Sequence, residues 1–435
     1  MRSVELHQMN RGECVVLRGA DKNILMADCG ETAFGGVSGL MKRYAGMTSR
    51  SFLLTHYHDD GLRALDRILR VNPNYFHRIY LPVSPCDKKG KPLMLEFALF
   101  AHVFQKEEEE IFDLSTAVLR LFPVLAAKTG ADRIFPLQAD RSFRFDKVDY
   151  DVLWPAVQAF PFTDLFSSAV ERMNVCLSSP FLPAAAQEFL RLKEQFCTAY
   201  AACCRTSPVE QANVGRMAEL YDRIEKLAPR LRELPAAQDI AEILGRPTTR
   251  AAYGFECRAS GVIFHNRRRS EASTDDILMT GAAEPESMDA VSGRLYDGYY
   301  ILKAPQHGVS RAWSHIFGEI SASHILMTHG NPMENESIAS EYIDLPAIRH
   351  CTDCTGCPWV QSSGCSCNRL SCCYELSPPG LTIKCPCCRD PEAVAPGAAE
   401  GAGKHHPHDP PCGILVISPA RAPSCLCDGK PANIN

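Results

Sequence analysis

Apolar positions change their spacing along this chain, and each spacing names an element. Val4, Leu6 and Met9, then Cys14, Val15, Val16 and Leu17, form two short runs of a β-hairpin, the second reaching a turn at Arg18 and Gly19. Leu62, Leu65, Ile68 and Leu69 recur at helical spacing, and Asn72 with Pro73 closes that helix. A strand follows at 76–81. This β–α alternation is what one half of a layered α/β sandwich needs.

From 92 to 130 the period is helical, with Glu107 to Glu110 supplying an acidic first turn that suits the helix dipole. Short strands are predicted at 132–135, 142–145 and 150–154. Residues 156–247 show only helical stripes, such as Phe189, Leu190, Leu192 and Phe196, or Leu220, Ile224 and Leu227. Stripes of this kind are core, so the block reads as a helical insertion that caps a site or offers a partner surface, with Cys203 and Cys204 as buried thiols. Strands resume at 260–264, 277–280, 299–303 and 323–328, with helices at 284–294, 311–320 and 334–344.

Beyond His350 the pattern collapses into cysteine, proline and glycine. Thirteen of the 21 cysteines fall after that residue. Cys351, Cys354 and Cys357 are spaced C-x2-C-x2-C, followed by Cys365 and Cys367, the pair Cys372 and Cys373, and Cys385, Cys387 and Cys388. Paired thiolates at such spacing hold a structural Zn²⁺ or an iron–sulfur cluster. The alternative is an extension with no ordered site. Residues 390–435 open on a Pro- and Gly-rich tract with too little apolar surface to fold, and read as a disordered tail.

Composition narrows the class. The chain has 435 residues, 46% of them hydrophobic and 22% charged, enough for a sizeable core and more than one unit. A net charge of -5 argues against broad nucleic-acid binding, and the local cluster Arg267, Arg268 and Arg269 reads as a solvated loop. The N-terminal residues alternate polar and apolar and do not read as a signal peptide, and no stretch is long and apolar enough for a membrane span. A cytoplasmic protein with no membrane association is expected, its cysteines thiols or metal ligands rather than disulfides.

The candidate chemistry sits at Thr55, His56, Tyr57, His58, Asp59, Asp60 and Gly61, between a strand-like run and a helix. Two histidines at i and i+2 and a carboxylate two further on can point at one divalent metal such as Zn²⁺, whose open position turns a water into a nucleophile near neutral pH. The turn resembles the T-H-x-H-x-D-H signature of the metallo-β-lactamase superfamily. Three further pieces resemble that family in order and spacing: residues 24–30, ending Asp28-Cys29-Gly30; residues 276–281, ending Thr280-Gly281; and residues 300–310, containing Lys303, Pro305, Gln306, His307 and Gly308. The last has the form of the competence-protein (ComEC-like) branch.

The resemblance implies a four-layer αββα metallo-β-lactamase-like sandwich. Its halves would be 1–155 and 248–345, split by the insertion at 156–247, with the Cys-rich segment at 346–389 following. It implies a metal site of His56, His58, Asp60 and His307, with Asp60 also the catalytic carboxylate that orients the attacking water. Departures are equally specific. Gly61 stands where the family has a second-metal His, Ala282 where it has the bridging Asp, and Gln306 where it has a His. His77, His102 and His265 are candidate fillers for the third His of the first site, and Glu284 for the missing carboxylate. One or two divalent ions are therefore expected, Zn²⁺ first.

Two functions follow. One is a metal-dependent hydrolase using a metal-bound hydroxide on a small-molecule or nucleic-acid phosphodiester or a related ester. The other is a catalytically degenerate binding or regulatory protein whose insertion and cysteine-rich tail would meet a protein or nucleic-acid partner. A third reading, a redox or metal sensor, would place an iron–sulfur cluster in the tail.

Overall fold

Two mixed β-sheets and a helical block carry the chain in the computed structural model, which describes residues 3–7, 9–32, 36–105, 114–178, 183–268, 276–328 and 338–351, and four short strands between 374 and 425. The chain divides into two compact units. One comprises 1–55, 140–153 and 263–435; the other comprises 56–139 and 154–262.

In the first unit, Ser3–His7, Val15–Arg18 and Asn23–Ala27 run antiparallel in that order, and Ser49–Leu53 adds parallel to Asn23–Ala27. Val15–Arg18 and Asn23–Ala27 are apolar but for one terminal residue each and buried nearly throughout, and Ser3–His7 is buried throughout although it carries Ser3, Glu5 and His7, as strands covered on both faces are. Ile414–Ser418 pairs antiparallel with Ser3–His7, and Arg421–Cys425 pairs with Ile414–Ser418. The disordered tail expected over 390–435 thus contains a hairpin. A run of isoleucine, leucine and valine satisfies a sheet edge, which the surrounding Pro- and Gly-rich composition hides.

The second sheet of this unit is ordered Ile348–Cys351, Ser321–Met327, Gly298–Lys303, Ile277–Met279, Ile263–Asn266, Val148–Trp154, Ser142–Phe145. Its first four strands run parallel, Ile263–Asn266 joins Ile277–Met279 antiparallel, and Val148–Trp154 pairs antiparallel with Ser142–Phe145. Asp146 and Lys147, both at positive φ, make the two-residue turn between Ser142–Phe145 and Val148–Trp154.

The second unit is mostly helical. Leu93–Phe104 is buried on all sides, every residue but His102, and is the axis of its core. Phe97, Phe100, Phe104, Phe166, Phe189 and Tyr253 pack on it or around it. Five helices fill 164–259: Asp164–Cys176, Ala184–Arg205, Gln211–Arg232, Ala236–Gly245 and Pro247–Ala259. The last continues past 247 and delays the next strand to Ile263–Asn266. Arg78–Pro82 and Ile134–Leu137 form a parallel pair in this unit.

Further differences are local. The helix expected at 311–320 is two short pieces, Ser310–Ala312 and Ile316–Glu319, because Trp313 and Ser314 break the run to bury an aromatic cluster of Trp313, Phe317 and Tyr342. Within 334–344 the described helix is Glu341–Asp344. The acidic run Glu107 to Glu110 lies outside the described residues. No described helix is long and apolar enough to cross a membrane.

Candidate metal centre

The centre begins at the end of a strand. Asn23–Ala27 stops at Asp28, which takes a left-handed backbone at φ +55° and donates its N–H to the Leu53 carbonyl at 2.8 Å. Asp28 is 1% exposed. Its Oδ1 accepts the Thr55 N–H at 2.8 Å and its Oδ2 accepts the Thr55 hydroxyl. A buried carboxylate with two donors on it is fixed in orientation as well as satisfied.

His56 and His58 follow Thr55 by one and three residues, so local chain geometry brings them to the carboxylate that Thr55 holds. Asp28, His56 and His58 each offer one ligand atom, and the three atoms lie within 4.8 Å of one another. The two imidazoles stack with centroids 4.3 Å apart. His58 also caps the Asp59–Val71 helix: its Nδ1 accepts the Gly61 N–H at 3.1 Å. Nδ1 therefore carries the lone pair, and an ion binding there competes with that N–H. One carboxylate oxygen and two imidazole nitrogens form a donor set that suits Zn²⁺ and similar borderline ions.

The residues expected from sequence distribute unevenly. His56 and His58 are in the group; Asp60 and His307 are not. Asp60 lies with Asp59 in the first turn of the Asp59–Val71 helix, where a carboxylate complements the dipole. Gly61 is buried in the same turn and donates to His58. The third member of the group is Asp28, quoted in the strand motif but not named there as a candidate ligand. An aspartate between a buried strand and a Cys-Gly pair was the available signal.

None of the candidate fillers joins the group. His102 Nδ1 pairs with the Tyr221 hydroxyl at 3.1 Å, and burial, then Arg120 and Arg232, lowers its pKa to about 4. His265 Nδ1 pairs with the Tyr299 hydroxyl at 2.9 Å, and its pKa falls to about 4, chiefly through burial. His77 is exposed, and Glu284 is buried ahead of the helix Pro285–Val291.

His307 occupies a second cluster in the first unit. Gln306 and His307 are both left-handed, at φ +42° and +64°. The His307 N–H donates to Glu13 Oε1 at 3.3 Å, and Glu13 Oε2 lies 2.8 Å from the buried Lys303 ammonium. Gln306 Nε2 donates to the carbonyls of Ala282 and Ala283, both at 3.2 Å, and its Oε1 accepts from Arg311 Nε at 3.1 Å. Gln306 and Ala282, two of the positions that depart from the resembled motifs, are thus bonded to each other. No spacing in the sequence pointed to Glu13.

Burial, and then the neighbouring Cys29, raise the Cys14 thiol well above its usual range, so Cys14 is an inert thiol at neutral pH. In the tail, Cys354, Cys357, Cys365, Cys367, Cys385, Cys387 and Cys388 lie outside the described residues, and of Cys351 only the strand backbone is described. Compared with known proteins, the chain matches no family model and no curated protein sequence.

Proposed function

We propose that the chain is a metal-dependent hydrolase on a metallo-β-lactamase-like four-layer αββα sandwich, acting on a phosphodiester or a related ester. One observation carries the reading: a buried carboxylate and two imidazoles, Asp28, His56 and His58, gather one ligand atom each within 4.8 Å. The two mixed sheets and the order of the four motifs support it; the substrate class rests on fold-level analogy.

Asp28, His56 and His58 would hold one divalent ion, with Zn²⁺ the best match to the donors. When bound, it supplies Lewis acidity and brings the pKa of a coordinated water to about 7. Thr55 keeps Asp28 turned toward the histidines through its two hydrogen bonds. His58 stands at the N-cap of the Asp59–Val71 helix, and binding the ion through Nδ1 would displace the Gly61 N–H. Three protein donors leave room for water and substrate, the arrangement of catalytic rather than structural zinc.

The competing reading is a binding or regulatory protein that has lost the chemistry. It is favoured by Gln306, whose amide is consumed by Ala282, Ala283 and Arg311 and offers no second-ion site. The test compares the full chain with its His56→Ala variant after zinc loading. Because tail thiols can add zinc to both, the difference is what counts. A loss of about one zinc per chain, with loss of hydrolysis of bis(4-nitrophenyl) phosphate, supports the hydrolase. Equal zinc content in both proteins removes the centre. A zinc difference without hydrolysis of any phosphate or acyl ester favours the binding protein.

A further inference from the structure

We propose that Tyr57 is the positioning residue of the histidine pair, and that the helical insertion helps to hold the metal site through Tyr200. The inference rests on the metal centre of the hydrolase reading. It concerns how the two imidazoles are held rather than the chemistry they serve.

Tyr57 stands between His56 and His58 and is turned away from both. The two imidazoles stack on one side of the chain, and His58 has extended backbone at φ −150° and ψ 148°. Neighbouring side chains on extended backbone point to opposite sides, so the ring between the imidazoles enters the core. His56 and His58 are half-buried, whereas Tyr57 is 3% exposed.

In that core two phenols form one chain of hydrogen bonds. The Tyr57 hydroxyl donates to the Pro82 carbonyl at 3.0 Å. The Tyr200 hydroxyl, from the insertion helix Ala184–Arg205, accepts the Ser84 N–H at 2.8 Å, and the two hydroxyls bond to each other. Direction follows from the partners. A carbonyl only accepts, so the Tyr57 proton goes to Pro82; a backbone N–H only donates, so Tyr200 keeps its own proton for Tyr57. The chain starts at Ser84 and ends at Pro82, and between them Val83 donates its N–H to the Leu137 carbonyl at 3.0 Å. Both ends are therefore fixed to the strand pair Arg78–Pro82 and Ile134–Leu137. Every one of these residues belongs to the second unit, as do His56 and His58.

A phenylalanine would fill the same space and leave no buried hydroxyl to satisfy, so the two phenols act as an anchor rather than as filler. They fix the depth and rotation of the Tyr57 ring, and with it the backbone that carries an imidazole on either side. Ligand bonds of about 2 Å give such a pair little slack, and a site whose supporting side chains are loose holds its ion poorly.

The test follows zinc at the site that His56→Ala removes, by competition of the full chain with a chromophoric chelator. Tyr57→Phe and Tyr200→Phe each delete one hydroxyl and keep the ring. We expect each to weaken that zinc about tenfold, the low end for residues that orient a ligand from behind. Either change breaks the same chain, so the double variant should lose scarcely more than the worse single one. Phe166→Leu, in the aromatic core around Leu93–Phe104, is the control: it should lower the urea midpoint at least as far and leave zinc affinity unchanged. Unchanged affinity in Tyr57→Phe, losses that multiply in the double variant, or an equal loss in Phe166→Leu each overturns the proposal. Should Tyr57→Phe fail to fold, Tyr200→Phe against Phe166→Leu decides by the same comparison. Hydrolysis is not read, so a wild type that turns nothing over defeats only the hydrolase reading; one that holds no zinc through His56 defeats both.

Discussion

The Lys303 ammonium lies 2.8 Å from Glu13 Oε2, with side chains 1% and 8% exposed. It also donates to the Ala304 carbonyl at 2.6 Å. The pair ties the end of Gly298–Lys303 to the loop before Val15–Arg18, and so braces the turn that presents His307. Removing one partner strands the other as a buried charge. Lys303→Met should therefore destabilise the protein by about 3–5 kcal/mol, and the double variant Lys303→Met, Glu13→Gln by clearly less. Urea unfolding of the three proteins reads this; a single variant within 1 kcal/mol of wild type, as an exposed pair would give, contradicts it.

Asp28→Asn keeps an oxygen for the Thr55 N–H and an amide for the Thr55 hydroxyl, so the strand end should survive. It removes the negative charge from the donor set. Zinc affinity measured by competition with a chelator should fall by at least about 100-fold, with little change in unfolding midpoint. Unchanged affinity would exclude Asp28 as a ligand.

Stability should fall in acid. His265 and His324 are buried, and burial lowers both pKa values to about 4, with Arg294 and Arg268 adding to the effect at His265. The unfolded chain, with pKa near 6.5, binds more protons between pH 6.5 and 4, so stability present above that window is lost as pH falls through it. Each imidazole contributes roughly 2–3 kcal/mol of that loss by pH 4. In His324→Leu, the urea midpoint should vary less steeply with pH over this range; an identical slope would rule His324 out.

Gly308 sits at φ +84°, and a Cβ there would meet Met327 Cγ at 3.0 Å. Gly308→Ala should cost about 1–3 kcal/mol through backbone strain alone. Because its carbonyl accepts the Ala339 N–H at 2.9 Å, the cost should appear as faster amide exchange at Ala339 as well as a lower melting temperature. A variant as stable as wild type would show that the turn relaxes freely.

Periodicity was a sound guide wherever one face of an element meets a core. The helix Asp59–Val71 ends at Asn72, where the Asn-Pro signal stood, and Ser142–Phe145 alternates exposed and buried as its sequence does. It failed where a few aromatics override local preference, as at Trp313, and where a strand is short and set in coil-like composition, as at Ile414–Ser418. The histidine pair was legible because both imidazoles lie on one turn, within two residues of each other. The remaining partner came from a different strand.

Local chemistry alone determined the strand–turn–helix around His56 and His58, the acidic first turn at Asp59 and Asp60, and the helical character of 164–245, because each depends on neighbours a few residues away. Only the tertiary structure decided that Asp28 gathers with the two imidazoles within 4.8 Å, and that Glu13 reaches across 294 positions to His307. Sheet register settles both: pairing places residues side by side according to strand order and offset, and neither quantity is written in any one segment's pattern.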